Sequence, residues 1–136
     1  MTLKEVMESH IVTASPDMKL LEVLDMMDIY HLSALAVTDR DKQLLGCINL
    51  QQIRLICAHL LTGQVDVECE SHLTTSCSDW MTAAPSVNEN LTVEAVLQRM
   101  VSESLEWVAV TNDLRQLAGI VTCVAAARCV LERKTA

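Results

Sequence analysis

Residues 35–48 read LAVTDRDKQLLGCI, and residues 108–121 read VAVTNDLRQLAGIV. Shifting the chain by 73 positions superimposes the two stretches and places Gly46 on Gly119. The same shift aligns identical residues elsewhere, namely Leu24 with Leu97, Met27 with Met100, Leu44 with Leu117 and Ala36-Val37-Thr38 with Ala109-Val110-Thr111. Before residue 20 the shift becomes 74, because Met7 then pairs with Met81. The chain therefore contains two copies of one unit.

The first copy has the pattern of a small α/β unit. Apolar side chains recur at helical spacing, at Leu20, Val23, Leu24, Met27 and Tyr30. Ranges 34–38 and 44–49 are typical of strands joined by a polar turn, and a closing helix is predicted over 50–61. A strand over 11–14 and a short leading helix ending near Met7 complete the copy, with Thr2 and Glu5 as its capping box.

The second copy predicts the same order of elements. A leading helix is expected around 79–82, a strand near 86–87, a helix over 91–103, strands over 107–111 and 117–122, and a final helix to about Glu132. We therefore expect a first repeat over 1–61, a linker over 62–78 and a second repeat over 79–136. The predicted fold class is α/β, with a short three-stranded sheet and two helices in each repeat. Each repeat is too small to bury its own sheet, so the copies are expected to pack face to face.

Composition and charge exclude several classes of partner. Hydrophobic residues make up 51% of the chain and aromatic residues 2%, and the formal net charge is −8. This charge repels phosphate backbones and anionic lipid, so neither nucleic acid nor a membrane is expected as a partner. The mean hydropathy of +0.28 favours an oligomer interface, and we expect a homodimer. The acidic start lacks the pattern of a secretory signal, which favours a cytoplasmic protein.

The six cysteines fall into two groups. Cys47, Cys57, Cys123 and Cys129 lie in apolar runs and are interpreted as small buried hydrophobic residues. Cys69 and Cys77 lie in the predicted linker and are interpreted as incidental thiols of an exposed polar loop. A disulfide framework is not expected.

Over nearly its whole length the duplicated unit resembles the CBS family. The stretches that carry the resemblance are Val6-Met7, Ile11 to Asp17, Glu22 to Met27, Leu35 to Asp39 and Leu44 to Ile48, in an order that occurs twice. The resemblance implies a pseudo-twofold pair of repeats with two clefts between them, often assembled into a flat disc of two chains. It also implies a regulatory module that binds adenine nucleotides in those clefts and has no catalytic activity.

The family's nucleotide-binding pattern is Gly, a hydrophobic residue, any residue, Ser or Thr, two further residues and Asp. The resemblance implies that the hydroxyl contacts phosphate and that the Asp accepts the ribose hydroxyls. After Gly46, the first copy has Asn49 and Gln52 at these two positions. After Gly119, the second copy has Thr122 and Ala125. Neither copy keeps the Asp, so altered or absent nucleotide binding is as compatible with these residues as the family's usual behaviour.

The candidate ligand-binding residues combine these positions with the strand starts and the nearby cations. They are Asn49, Gln52, Thr122, Ile11, Val12, Thr13, Ser33, Ala34, Arg54, Trp107 and Arg128. The ligand expected from the resemblance is AMP, ADP or ATP, and binding would regulate a protein that the sequence does not identify. Trp107 is interpreted either as a stacking partner for adenine or as core or dimer packing.

Two alternatives remain open. One is a structural or partner-binding protein whose clefts hold no nucleotide. The other is a zinc or redox site formed by Cys69, His72 and Cys77, with His59 or Cys57 as a fourth ligand. The catalytic motifs of hydrolases, phosphate-binding loops and zinc proteases do not occur in the sequence, so we expect no enzyme and no resident metal or cofactor.

Overall fold

In the computed structural model, residues 2–62 and 75–135 are described, and they form six strands and four α-helices. The strands are β1 (Thr13–Ala14), β2 (Ala34–Thr38), β3 (Leu44–Asn49), β4 (Ser86–Asn88), β5 (Trp107–Thr111) and β6 (Leu117–Thr122). The helices are α1 (Leu20–Ile29), α2 (Leu50–Leu61), α3 (Val93–Ser102) and α4 (Cys123–Thr135), and short 3-10 helices span Leu3–Glu5 and Cys77–Asp79. The predicted α/β class is confirmed.

Each copy of the repeated unit forms one three-stranded sheet. Sheet 1 has the order β1-β2-β3 and sheet 2 the order β4-β5-β6. The first two strands of each sheet are parallel, and β5 and β6 are antiparallel. Four predicted strands have the expected bounds, whereas β1 is shorter than the predicted 11–14. The two copies therefore share one topology, as the 73-residue shift predicts.

In each copy, a residue in the left-handed region comes two residues after the end of the helix that follows the first strand. His31 has φ 54° and Ser104 has φ 56°, and these positions are equivalent in the two copies. The N–H of Leu32 then reaches the carbonyl of Met27 at 2.8 Å, and Leu105 reaches Met100 at 2.8 Å. Each left-handed residue therefore satisfies a helix-end carbonyl by turning the chain towards the next strand.

The described residues divide into two compact units. The sheet 2 unit comprises 2–11, 41–44 and 84–135, and the sheet 1 unit comprises 12–40, 45–62 and 75–83. Each unit has its own aliphatic core between its sheet and helices, with Val96, Val108 and Val121 fully buried in the sheet 2 unit. Val23 and Ile48 have the same role in the sheet 1 unit.

Each unit also contains a leading segment that comes from elsewhere in the chain. The first leading segment, 2–11, belongs to the sheet 2 unit, and Leu3 is fully buried in its core. The second leading segment, 75–83, belongs to the sheet 1 unit, where Cys77 is fully buried. Each sheet therefore packs against the leading segment of the other copy.

Backbone hydrogen bonds attach each leading segment to a strand of its sheet. The approach is so close that the strand needs a glycine beside the point of pairing. Glu8 donates to and accepts from Ile120, with N···O distances of 2.8 and 3.0 Å. Thr82 and Cys47 are paired in the same way at 2.9 and 2.8 Å. A Cβ on the neighbouring Gly46 would lie 2.6 Å from the Thr82 carbonyl oxygen, so this close approach leaves no room for a side chain.

The N-terminal capping prediction is wrong. Thr2 precedes the 3-10 helix Leu3–Glu5, and its side chain makes no capping hydrogen bond. Its backbone instead bridges to Thr92, so the first leading segment is held by strand-like pairing. Among the helices of the described ranges, none combines the length and the apolar character needed to cross a bilayer.

Candidate functional site

A cavity lined by candidate ligand residues lies in the sheet 2 unit. It has a volume of about 650 Å³, within the range usual for small-molecule sites. The sequence-predicted residues Thr122 and Arg128 line it, together with Ala125 of the same motif. The remaining lining residues are Glu5, Val6, Val124, Cys129, Glu132 and Arg133. The cavity therefore lies between the first leading segment and α4.

Thr122 is held at the start of α4. Its Oγ1 accepts a hydrogen bond from the backbone N–H of Ala125 at 3.1 Å, which caps the first helical turn. The hydroxyl proton is not used by this bond and can be donated to a ligand oxygen. Thr122 also pairs across the sheet with Trp107, which is half-buried at the start of β5.

The charged groups of the cavity come mainly from α4. Arg128 is exposed, and the ion pairs among the described residues, Arg99–Glu103 and Arg133–Glu94, do not involve it. Arg133 forms an ion pair with Glu94 in the first turn of α3. A hydrogen bond from its own backbone N–H lowers the pKa of Glu94, and the charge of Arg133 lowers it further. Arg128 is consequently the guanidinium most available to an anionic ligand.

In the first copy, the equivalent polar residues bind each other. The Asn49 side chain accepts from the N–H groups of Gln51 and Gln52 at 2.9 and 3.3 Å, and the Gln52 side chain accepts from the Asn49 N–H at 3.1 Å. This reciprocal arrangement is a capping box at the start of α2. The motif positions of the first copy therefore have a structural task that the sequence analysis did not anticipate.

The other predicted ligand residues are not brought into this cavity. Thr13 lines a separate pocket of about 440 Å³ with Asp17, Thr38 and Arg40. Ile11 is half-buried in the first leading segment, and Val12 packs against the sheet 1 core. Ser33 is exposed before β2, Ala34 is its half-buried first residue, and Arg54 is exposed on α2.

Several cavity residues were missed by the sequence analysis. Cys129, Glu132 and Arg133 follow Ala125 along α4 at successive spacings of four, three and one, and the spacings of four and three place residues side by side on a helix. That periodicity was a usable signal. Glu5 and Val6 gave no such signal, because their place beside α4 depends on where the first leading segment packs.

The cysteine predictions need two corrections. Cys57 is exposed, because Ile53 and Ile56 occupy the core-facing side of α2 and Cys57 lies on its outer side. Cys77 is not in an exposed loop: it is fully buried, and its Sγ donates to the carbonyl of Ser15 at 3.0 Å. Burial, together with the charge of Asp17, raises the pKa of the Cys77 thiol.

Of the three residues of the zinc and redox alternative, only Cys77 lies within the described ranges. Cys69 and His72 lie outside the described residues, whereas Cys77 is enclosed in the sheet 1 core. Within 2–62 and 75–135, no three His, Cys, Asp or Glu side chains converge as metal ligands would. The cysteines of the same ranges are free thiols.

Comparison with known proteins identifies the family that shares this architecture. The model of the CBS domain family matches residues 3–58 and 77–130. An inosine-5'-monophosphate dehydrogenase of Halobacterium salinarum is 31% identical over 113 residues, which are 83% of this chain and 20% of that protein. The chain spans about a fifth of the length of the curated relatives it matches.

Two solved structures are similar over almost the whole chain. CBSX2 in complex with AMP has a TM-score of 0.81 at 17% identity, covering 98% of both chains. The CBS domain pair of protein MJ0100, in complex with 5-methylthioadenosine and S-adenosyl-L-methionine, has a TM-score of 0.74 at 20% identity, again covering 98% of both. With its two copies of one three-stranded α/β unit, each matched by the family model, this chain belongs to the CBS domain family.

Proposed function

We propose that the chain is a non-catalytic regulatory module that binds an adenine nucleotide in the cavity of the sheet 2 unit. The observation that carries the proposal is that Thr122 and Arg128 both line one cavity of about 650 Å³. A hydroxyl donor and an unpaired guanidinium suit phosphate oxygens. The apolar wall formed by Val6, Val124 and Ala125 suits the uncharged part of the ligand.

The ligands of two similar structures support the choice of ligand class. CBSX2 was solved with AMP, and the MJ0100 domain pair with two ligands that each contain an adenosine group. Ala125 offers no carboxylate to a ribose, so phosphate contacts contribute more of the affinity here than diol recognition does. AMP is therefore expected to bind more tightly than adenosine.

Ligand binding would act on the chain through the walls of the cavity. Glu5 and Val6 belong to the first leading segment, and Arg128 belongs to α4. A bound molecule contacts both and favours the arrangement in which they are held together. Regulation then follows as a shift of population towards that arrangement.

The test is a titration with AMP, ADP, ATP, adenosine and S-adenosylmethionine, followed by calorimetry and thermal shift. Arg128→Gln is expected to weaken AMP binding about tenfold, because it removes a charge-assisted contact. Arg54→Gln is the matched control, since it removes the same charge from an exposed position on α2. A loss of binding in Arg54→Gln but not in Arg128→Gln, or no stabilisation by any nucleotide at millimolar concentration, would overturn the proposal.

We also propose that the module is a homodimer. Large apolar side chains are exposed on α1 and α2, with Ile29 68%, Leu55 54% and Leu61 85% accessible. Exposed apolar side chains on two helices of one unit favour association. Light scattering on the purified chain tests the proposal, and a monomer at micromolar concentration would refute it. Ile29→Glu and Leu55→Glu are expected to weaken the dimer, whereas Gln51→Glu is a control on the same helix.

A further inference from the structure

Arg133 has two roles that compete with each other. Arg133 is among the residues that line the cavity of the sheet 2 unit, and it also forms the ion pair with Glu94 that joins the last turn of α4 to the first turn of α3. We propose that Glu94 is an internal competitor of the ligand: an anionic group in the cavity replaces the Glu94 carboxylate on Arg133 and so releases α3 from α4. The inference rests on the proposed function, because it requires the cavity to bind an anion.

The ion pair is weak enough to be exchanged. The side chains of Arg133 and Glu94 are 45% and 47% exposed, so water screens their attraction. A phosphate inside the cavity carries more charge than the carboxylate, and its oxygens match the planar fork of a guanidinium. The exchange therefore favours the phosphate over Glu94.

Glu94 does not lose all its stabilisation when Arg133 leaves. It lies in the first turn of α3, where hydrogen bonding by its own backbone N–H lowers the pKa of its carboxyl group. The unsatisfied N–H groups of this turn also favour a negative charge. When Arg133 is released, the N–H groups of this turn still stabilise the Glu94 carboxylate. The exchange is therefore reversible.

The balance of charges in the cavity explains why Arg133 is needed. Arg128 and Arg133 are the two arginines among the lining residues, and Glu5 and Glu132 are the two glutamates. With Arg133 engaged by Glu94, a ligand anion meets only one available guanidinium. When Arg133 turns to the ligand, two guanidinium groups face the anion, and the link between α3 and α4 is broken. Occupancy of the cavity is thereby coupled to the contact between these two helices.

The experiment compares AMP with adenosine in five proteins, by calorimetry at one salt concentration. Glu94→Gln is expected to raise the affinity for AMP about threefold to tenfold, because Arg133 no longer has a charged competitor. Its affinity for adenosine is expected to stay unchanged. Arg133→Gln is expected to weaken AMP binding severalfold, and adding Glu94→Gln to it should then have no further effect.

Glu103→Gln is the matched control. It removes one carboxylate from the residue that directly follows α3, where Glu103 forms an exposed ion pair with Arg99 at 2.7 Å, so it changes the net charge equally. Equal gains in Glu94→Gln and Glu103→Gln would reduce the effect to general electrostatics and overturn the inference. So would AMP binding that is unchanged by Glu94→Gln. If the unmodified protein binds neither AMP nor adenosine, the proposed function fails, and this inference fails with it.

Discussion

The sulfur of Met7 lies directly over Gly119, 2.8 Å from the position that a Cβ on this glycine would occupy. The carbonyl oxygen of Glu8 is equally close to that position, at 2.8 Å. In the other copy, Met81 and Thr82 approach Gly46 in the same way. The methionine of each repeat therefore contacts the glycine of the other repeat, and this contact attaches a leading segment to a sheet.

Gly119→Ala should destabilise the protein. The added methyl group clashes with a backbone oxygen as well as with Met7, and we expect the free energy of unfolding to fall by about 1–3 kcal/mol. Urea denaturation followed by circular dichroism measures the change. Adding Met7→Ala to Gly119→Ala relieves the contact with sulfur but not the contact with Glu8, so only part of the loss should be recovered. An unchanged midpoint for Gly119→Ala would contradict the tight approach.

Asn49→Ala should unfold at lower urea concentration than the unmodified protein. The substitution removes the side chain that accepts from two N–H groups at the start of α2, which costs about 1 kcal/mol. Asn49→Asp keeps the acceptor and is expected to remain close to the original stability. Gln51→Ala, at an exposed position in the same turn, is the control. Identical losses in Asn49→Ala and Gln51→Ala would argue against the capping role.

Ser104→Gly should stabilise the chain. Ser104 has φ 56°, a conformation that a residue with a side chain adopts at a cost and glycine adopts freely. After allowing for the greater freedom of glycine in the unfolded chain, we expect a gain of about 0.5 kcal/mol. Gln98→Gly, inside α3, should instead lose about 1 kcal/mol. A loss at both positions in thermal or urea unfolding would show that the left-handed conformation is not retained.

The stability of the protein should decrease between pH 9 and pH 11 because of Cys47. Burial raises the pKa of this thiol from 9.0 to about 11. A folded-state pKa above the unfolded value gives stability that is complete below pH 9 and is lost as the pH rises to 11, by about 2 kcal/mol. Cys47→Ala should lack this part of the decline, whereas Cys57→Ala, at an exposed thiol, should follow the unmodified protein. Parallel curves for the unmodified protein and Cys47→Ala would contradict the assignment.

Local patterns account for what the sequence predicted well. The strands over 34–38 and 107–111 and the helix over 50–61 have the expected bounds, because periodicity and duplication are properties of contiguous residues. Packing of distant segments explains what was missed. The burial of Cys77 and the place of Glu5 depend on leading segments that pack against the sheet of the other copy, and no local pattern reports such a contact.

In the candidate site, too, the local sequence pattern predicted some features and the three-dimensional surroundings decided others. Thr122 and Arg128 were identified from a motif and a nearby charge, and both line the cavity. Asn49 and Gln52 were selected by the same motif, but there the polar side chains satisfy the start of a helix. A motif specifies which residue types follow a glycine, whereas the hydrogen bonds that those residues form depend on the three-dimensional surroundings.

The exchanged leading segments also bear on how such a chain can arise by gene duplication. A single-copy precursor has one sheet and one leading segment, and in the arrangement seen here that segment completes a sheet other than its own. Two precursor chains could satisfy this requirement by trading their first residues, as in domain-swapped dimers. Fusion of two genes then converts the exchange between molecules into one within a molecule, and neither half can afterwards be cut out at the sequence boundary without leaving a core incomplete.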